Sequence, residues 1–233
     1  MRSWVCGDGG EEAMKTLEPE HVKPAEIEAR SFEIITQELL EMGKSLAPGT
    51  ERIVKRCIHT SADFDYADNL YFSDGAVEKA LQALRQGADI VTDTRMAQAG
   101  INARFLAKLG GQVHCFMADE DVARAAAENG TTRACASMDK AAMLAAERGR
   151  DFIYAIGNAP TALIRLQELI DGGKVHPLLI IGVPVGFVNV VQAKEVIREG
   201  GAPCIIARGR KGGSNIAACI CNALLYQIRD EGI

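Results

Sequence analysis

The chain has 233 residues, 48% hydrophobic and 24% charged, which matches ordinary globular composition and is long enough for one large α/β core. Its formal charge of −5 and scattered basic residues give no reason to expect nucleic acid, so a polyanionic ligand would need a local basic pocket. No segment approaches the roughly 18 to 20 consecutive apolar residues of a membrane span, so no membrane partner is expected either.

The opening "MRSWVCGDGGEEAMKTL" lacks an apolar stretch and carries Asp8, Glu11 and Glu12, so it does not read as a secretory signal. Residues 1–17 are expected to be a flexible tail in which Met14 is an alternative start, and the chain is expected to be cytoplasmic. Residues 18–233 read as a single α/β domain, with N-terminal helices over 18–86 and a parallel-sheet unit over 87–229.

"KPAEIEARSFEIITQELLEMG" is an amphipathic helix with Ile27, Ile34, Ile35 and Leu39 on one side, ending at Gly43. Ser31 places a hydroxyl on that stripe, either bonded back to the carbonyl one turn earlier or facing a ligand. "GTERIVKRCIHTSAD" is read as a second helix and "DGAVEKALQALRQG" as a third, with Val77, Leu81 and Leu84 in register. This stretch shows no strand, so its helices should cover the later sheet or another subunit.

From Gly87 onward, five short apolar runs alternate with helical patterns: 88–93, 112–117, 151–156, 176–182 and 202–208. Each run is continuous and followed by a turn, as in parallel strands buried on both faces. Helical patterns lie around 97–109, 119–149 (two helices), 159–171, 189–199 and 213–229. The alternation predicts a three-layer, doubly wound, five-stranded parallel sheet with an N-terminal helical extension. The seven cysteines include no C-x-x-C pair and read as reduced thiols.

In such a sheet, ligands bind beyond the carboxyl ends of the strands. Those ends read "TDTRM" (92–96), "GNAPTAL" (157–163), "GVPVGFVN" (182–189) and "ARGRKGGSN" (207–215). In the last, Gly212, Gly213 and Ser214 precede a helix and could offer N–H groups to an anion, with Arg208, Arg210 and Lys211 alongside. The plain alternative is a helix start with Ser214 as N-cap and a solvated basic turn. Neither this turn nor "GNAPTAL" has the glycine order of a P-loop or a dinucleotide fingerprint.

The chain has four histidines. If 50–61 is helical, Arg52, Arg56, His59 and Asp63 follow at steps of four, three and four. Asp63 could then orient one ring nitrogen of His59 while the other faces a ligand. The alternative is a surface or core histidine near a helix end. His21, His114 and His176 are weaker candidates, and no pair has metal-ligand spacing. Arg133, in "GTTRACASM", reads by itself as a solvated arginine in a small-residue turn.

Taken in order, "RCIHTSADFDY", "TDTRMAQAGI", "GNAPTAL", "PVGFVN" and "GRKGGSNIAA" resemble the precorrin-8X methylmutase family of corrin biosynthesis, over nearly the whole chain from Glu18 to Gln227. The resemblance implies a flavodoxin-like sheet, a homodimer with active sites near the subunit interface, and no cofactor or metal. It also implies the reaction, in which a methyl group migrates within precorrin-8X or cobalt-precorrin-8, from an α-carbon of ring C to the neighbouring β-carbon. His59 then matches the family's proton donor and acceptor, and Ser31, Arg56 and Arg133 fall where the family contacts its substrate. Thr92, Thr94 and the turn Arg210, Lys211, Gly212, Gly213 and Ser214 complete the implied pocket. The family commonly has a second Thr after that histidine, where this chain has Ser61.

Such a substrate carries many carboxylates, which accounts for arginines gathered on one face of an acidic protein. A nucleotide-binding oxidoreductase is disfavoured because "TDTRMAQAG" supplies no glycine fingerprint. A non-catalytic tetrapyrrole carrier would share the arginines and the fold. His59 separates the two readings, because a carrier needs no proton donor.

Overall fold

The computed structural model describes residues 23–232; the tail over 1–17, Met14 and His21 lie outside them. A single 3-10 turn, Pro24–Glu26, leads into α1 (Ile27–Glu41), followed by α2 (Glu51–Ser61), α3 (Tyr66–Asn69), β1 (Leu70–Phe72) and α4 (Ala76–Arg85). Alternation then begins with β2 (Ile90–Thr92), α5 (Arg95–Gly100), α6 (Ala103–Lys108), β3 (Val113–His114), α7 (Glu120–Glu128), α8 (Arg133–Arg148) and β4 (Ile153–Ile156). It finishes with α9 (Pro160–Asp171), β5 (Leu179–Gly182), α10 (Val190–Glu199), β6 (Cys204–Ala207) and α11 (Ser214–Asp230).

The five expected runs form five parallel strands in the order β3-β2-β4-β5-β6, the flavodoxin-like winding. Alternate side chains of β4 enter opposite cores: Ile153 and Ala155 face one, Tyr154 and Ile156 the other. The first core contains residues of α1, α2, α4, α5, α6 and α11, the second residues of α7, α8, α9 and α10.

The sheet differs from expectation in having a sixth strand. β1 runs antiparallel to β6, pairing Leu70 with Ala207, Tyr71 with Ile206 and Phe72 with Ile205. Its three residues are only half-buried, so no local pattern marks them. The partner edge of β6 makes them a strand and is itself covered in return.

The helix expected over 97–109 is two short ones. Asn102 breaks it by accepting a bond from the Phe105 N–H (3.1 Å), and Asn222 of α11 holds the break open. The Asn222 side chain accepts from the Asn102 N–H (2.8 Å) and donates to the Gly100 carbonyl (2.8 Å), so both backbone groups at the interruption are satisfied.

The N-terminal helices do cover the later unit. α2 lies antiparallel along α11, with Arg52 bonded to Asp230 (3.1 Å) at one end and the Thr60 hydroxyl on the Cys219 sulfur (3.2 Å) toward the other. α1 packs on α2 through Ile35 and Leu39, while Ile27 (52% exposed) and Ile34 (39% exposed) stay outside, unlike the four-residue stripe expected.

Candidate active site

The carboxyl ends of β2 and β4 meet where the strand order reverses. Asp93 fills that crevice: one carboxylate oxygen accepts the Gly157 N–H (2.9 Å), the other those of Asn158 (2.8 Å) and Ala159 (2.7 Å). The three N–H groups at the start of the 157–163 loop are therefore taken by the protein's own carboxylate. Burial raises the Asp93 pKa above the ordinary carboxylate value, while the three N–H groups favour its charged form.

The neighbouring loops lock onto this point. Thr94 caps α5 by accepting the Ala97 N–H (3.0 Å), and its hydroxyl meets that of Ser214 at 2.8 Å. Ser214 is thus the first residue of α11 rather than its N-cap; Gly213 holds the cap position without a side-chain bond. Gly157 lies so close to Ser214 that a β-carbon on it would fall 2.6 Å from the Ser214 Cα. Gly212, at φ +153°, likewise has no room for a β-carbon beside the Val183 carbonyl, and the Gly213 N–H donates to that same carbonyl (2.8 Å). These glycines are needed for loop-on-loop contact, whatever else they bind.

Thr92 is fully buried, and its hydroxyl donates to the carbonyls of Thr94 (3.1 Å) and His114 (3.2 Å). It supports the loop from beneath and presents nothing to a ligand, contrary to its expected place in the pocket.

His59 sits near the carboxyl-terminal end of α2, and the antiparallel run of α2 along α11 carries it toward the loop edge. The ring is exposed, lies 5.3 Å from that of Phe32, and makes no hydrogen bond among the described residues. Asp63 does not orient it. Ala62 adopts a left-handed conformation (φ 54°) that ends α2, and Asp63 turns to Lys211 at 2.6 Å, with Asp65 on the same ammonium. These carboxylates push the Lys211 pKa up to about 12, and the Lys211 ammonium in turn holds that of Asp63 below its ordinary value.

Beside His59, the Arg56 guanidinium lies between the rings of Phe32 (5.1 Å) and Tyr226 (4.9 Å) and bonds Glu28 at 2.5 Å. A cleft of about 290 Å³ opens there, lined by Phe32, Arg52, Lys55, Arg56, Ala223 and Tyr226 among others. The Ser31 hydroxyl bonds back to the Ile27 carbonyl (2.9 Å), which is its plain structural role.

Arg133 opens α8 in the opposite helical layer. It is exposed and has no hydrogen bond or ion pair among the described residues. Its neighbour Thr132 caps α8 and meets Thr161 of α9 (3.0 Å), which ties Arg133 to the turn that Asp93 holds. The expected residues thus reach one edge of the sheet in separate groups: His59 with Arg56, Thr94 with Ser214 and the basic turn, and Arg133 across the sheet. No described contact joins His59 to Arg133.

Sequence reading missed Phe32, Asp93 and Lys194. A signal for Lys194 exists, because it follows Val190 by four residues and precedes Ile197 by three, on the apolar stripe of α10. Among the described residues, no group of three or more His, Cys, Asp or Glu is placed to hold a metal ion. The described cysteines are free thiols, with Cys57 and Cys219 meeting at 4.0 Å between α2 and α11. No described helix is long and apolar enough to cross a membrane.

A family model described as precorrin-8X methylmutase matches residues 26–227. The chain is 46% identical over 211 residues to a cobalt-precorrin-8 methylmutase of Salmonella typhimurium, covering 89% of this chain and 97% of that one. It is 39% identical over 176 residues to a precorrin-8X methylmutase of Pseudomonas aeruginosa, covering 75% and 82%. The crystal structure of a precorrin-8X methylmutase from Thermus thermophilus superposes with a TM-score of 0.77 at 38% identity, covering 89% of this chain and all of that one.

Proposed function

Because this chain belongs to the precorrin-8X methylmutase family, we propose that it is an isomerase of cobalamin biosynthesis that moves a methyl group within the precorrin-8 macrocycle, from the ring C α-carbon to the adjacent β-carbon, with His59 as proton donor and acceptor. Substrate and product are isomers, so the reaction balances without a co-reactant. The protein has to hold the ring and place a proton.

The observation that carries the role of His59 is its lack of any other task. It is an exposed imidazole with no hydrogen-bond partner among the described residues, beside an aromatic ring and the Arg56 guanidinium. A histidine kept for stability would be buried or bonded. In this reading Arg56, Arg133, Arg210 and Lys211 face the substrate carboxylates, Ser31, Thr94 and Ser214 line the approach, and Gly212 and Gly213 shape the basic turn. Residues 18–233 act as one unit, and the protein works in the cytoplasm.

A homodimer with its active site near the interface belongs to the same reading. The exposed side of α1 supports it, since Ile27, Ile34 and Leu40 are exposed there and Met42, just past its end, is exposed as well. Sedimentation equilibrium is expected to give twice the chain mass; a monomer at micromolar concentration would refute the dimer.

The test of the activity is an absorbance time course with metal-free and with cobalt-containing precorrin-8. Conversion of either substrate is expected, and the relative rates assign the pathway. Binding of both without conversion would make the protein a carrier.

Arg133→Ala is expected to raise KM about 10- to 100-fold with little change in kcat, the worth of one charge-assisted hydrogen bond to a carboxylate. Steady-state kinetics check it. A loss confined to kcat would remove Arg133 from the binding surface.

A further inference from the structure

α10 carries a lysine where its pattern calls for an apolar residue. Val190, Ala193 and Ile197 form its buried stripe, and Lys194 lies among them with 0% exposure. Its ammonium donates to the backbone carbonyls of Gly209 (2.9 Å) and Lys211 (2.8 Å), and no carboxylate meets it among the described residues. Burial pulls its pKa down to about 8. An apolar side chain of similar length would fill the same space without that desolvation, so the geometry has to be explained by what the ammonium holds.

It holds the backbone on both sides of Arg210. The Arg210 carbonyl in turn accepts the Gly186 N–H (3.2 Å), which binds the loop after β6 to the loop after β5. The Arg210 guanidinium lies 5.3 Å from the ring centre of Phe187, and Phe187 is 80% exposed. No described carboxylate neutralises Arg210, in contrast to Arg208, which faces Glu195 at 3.6 Å. The result is an unneutralised cation lying on an exposed aromatic ring at the carboxyl edge, with its backbone fixed from beneath.

We propose that Lys194 is a positioning residue for the methylmutase reaction: by fixing the backbone around Arg210 it presets an Arg210–Phe187 clamp, in which the guanidinium takes a carboxylate of the macrocycle and the ring covers an adjoining apolar edge. The inference rests on the reading of a polycarboxylate macrocycle as substrate. A clamp ordered before binding loses less freedom when it binds, so Lys194 acts on affinity through Arg210. A lysine that only completes the core would affect folding and leave the affinity of folded protein unchanged.

The test is a double-mutant cycle of Lys194→Met and Arg210→Ala, with kcat and KM measured on whichever form of precorrin-8 the wild type converts. Lys194→Met alone is expected to raise KM about tenfold, roughly the worth of one charge-assisted hydrogen bond, with kcat within about threefold. On the Arg210→Ala background it should add nothing further to KM, because the two act as one unit. The same factor on both backgrounds, or a loss in kcat with KM unchanged, would overturn the role.

Should Lys194→Met fail to fold, amide exchange of the free wild-type protein decides. Slow exchange of the 208–214 loop is expected, and exchange at the rate of an unstructured chain would sink the idea. No conversion by wild type removes the substrate reading itself, whereas normal wild-type turnover with the wrong cycle removes only the role of Lys194.

Discussion

Replacing His59 by alanine is expected to lower turnover of precorrin-8 by on the order of 10²- to 10⁴-fold, the usual contribution of a placed proton donor. Macrocycle binding should stay within about threefold of wild type and the melting temperature nearly unchanged. The reason lies in the local structure. His59 is exposed near the end of α2, and its one described ring contact is with Phe32. Alanine is a better helix former than histidine, so α2 itself has little to lose. Arg56 keeps its place between Phe32 and Tyr226 through its bond to Glu28. Activity and fold are therefore separable at this position, which is uncommon for residues inside a packed site. The experiment is turnover and binding measured on one preparation, with added imidazole as a rescue agent that an exposed position should admit. Turnover within tenfold of wild type would dismiss His59 as the proton donor, and a parallel loss of binding would recast it as a substrate contact.

Asp93→Asn is expected to give the largest loss of stability, about 2–4 kcal/mol, or a fall in melting temperature of roughly 5–15 °C for a chain of this size. Asp93 is 1% exposed, and its two oxygens accept N–H groups from Gly157, Asn158 and Ala159. An asparagine keeps the shape but replaces one oxygen with a donor, so at least one buried N–H would face another N–H. The damage should spread. Thr94, the next residue, bonds Ser214, and Gly157 presses on the same serine. Loosening the turn therefore reaches the start of α11 and the basic loop before it. Thermal unfolding of wild type and variant reads the effect, and an unchanged melting temperature would show that water replaces the lost acceptor without cost.

Several features were legible in the residues because their causes are local. Four of the five parallel strands, β2, β4, β5 and β6, are buried throughout, as short runs in a sheet covered on both faces are, and the edge strand β3 is half-buried. The helical patterns expected over 119–149, read as two helices, and over 159–171 appear as α7, α8 and α9. His59 stood out because a helix carries it beside Arg56 at a fixed spacing. The end of α2 at Ala62 was less visible, since alanine rarely adopts a left-handed conformation, and that one residue turned Asp63 away from the imidazole.

Composition and periodicity by themselves determined the α/β class and the parallel strands, since both follow from how each segment buries its apolar face. Tertiary structure alone decided which polar groups meet. Asn222 holds open a helix break that lies far from it in sequence, Lys211 takes Asp63, β6 makes β1 a strand, and Lys194 reaches two carbonyls of the basic turn. Hydrogen bonds and ion pairs act over about 3 Å between atoms whose approach the winding of the chain sets, so residue spacing along one helix could not reveal them.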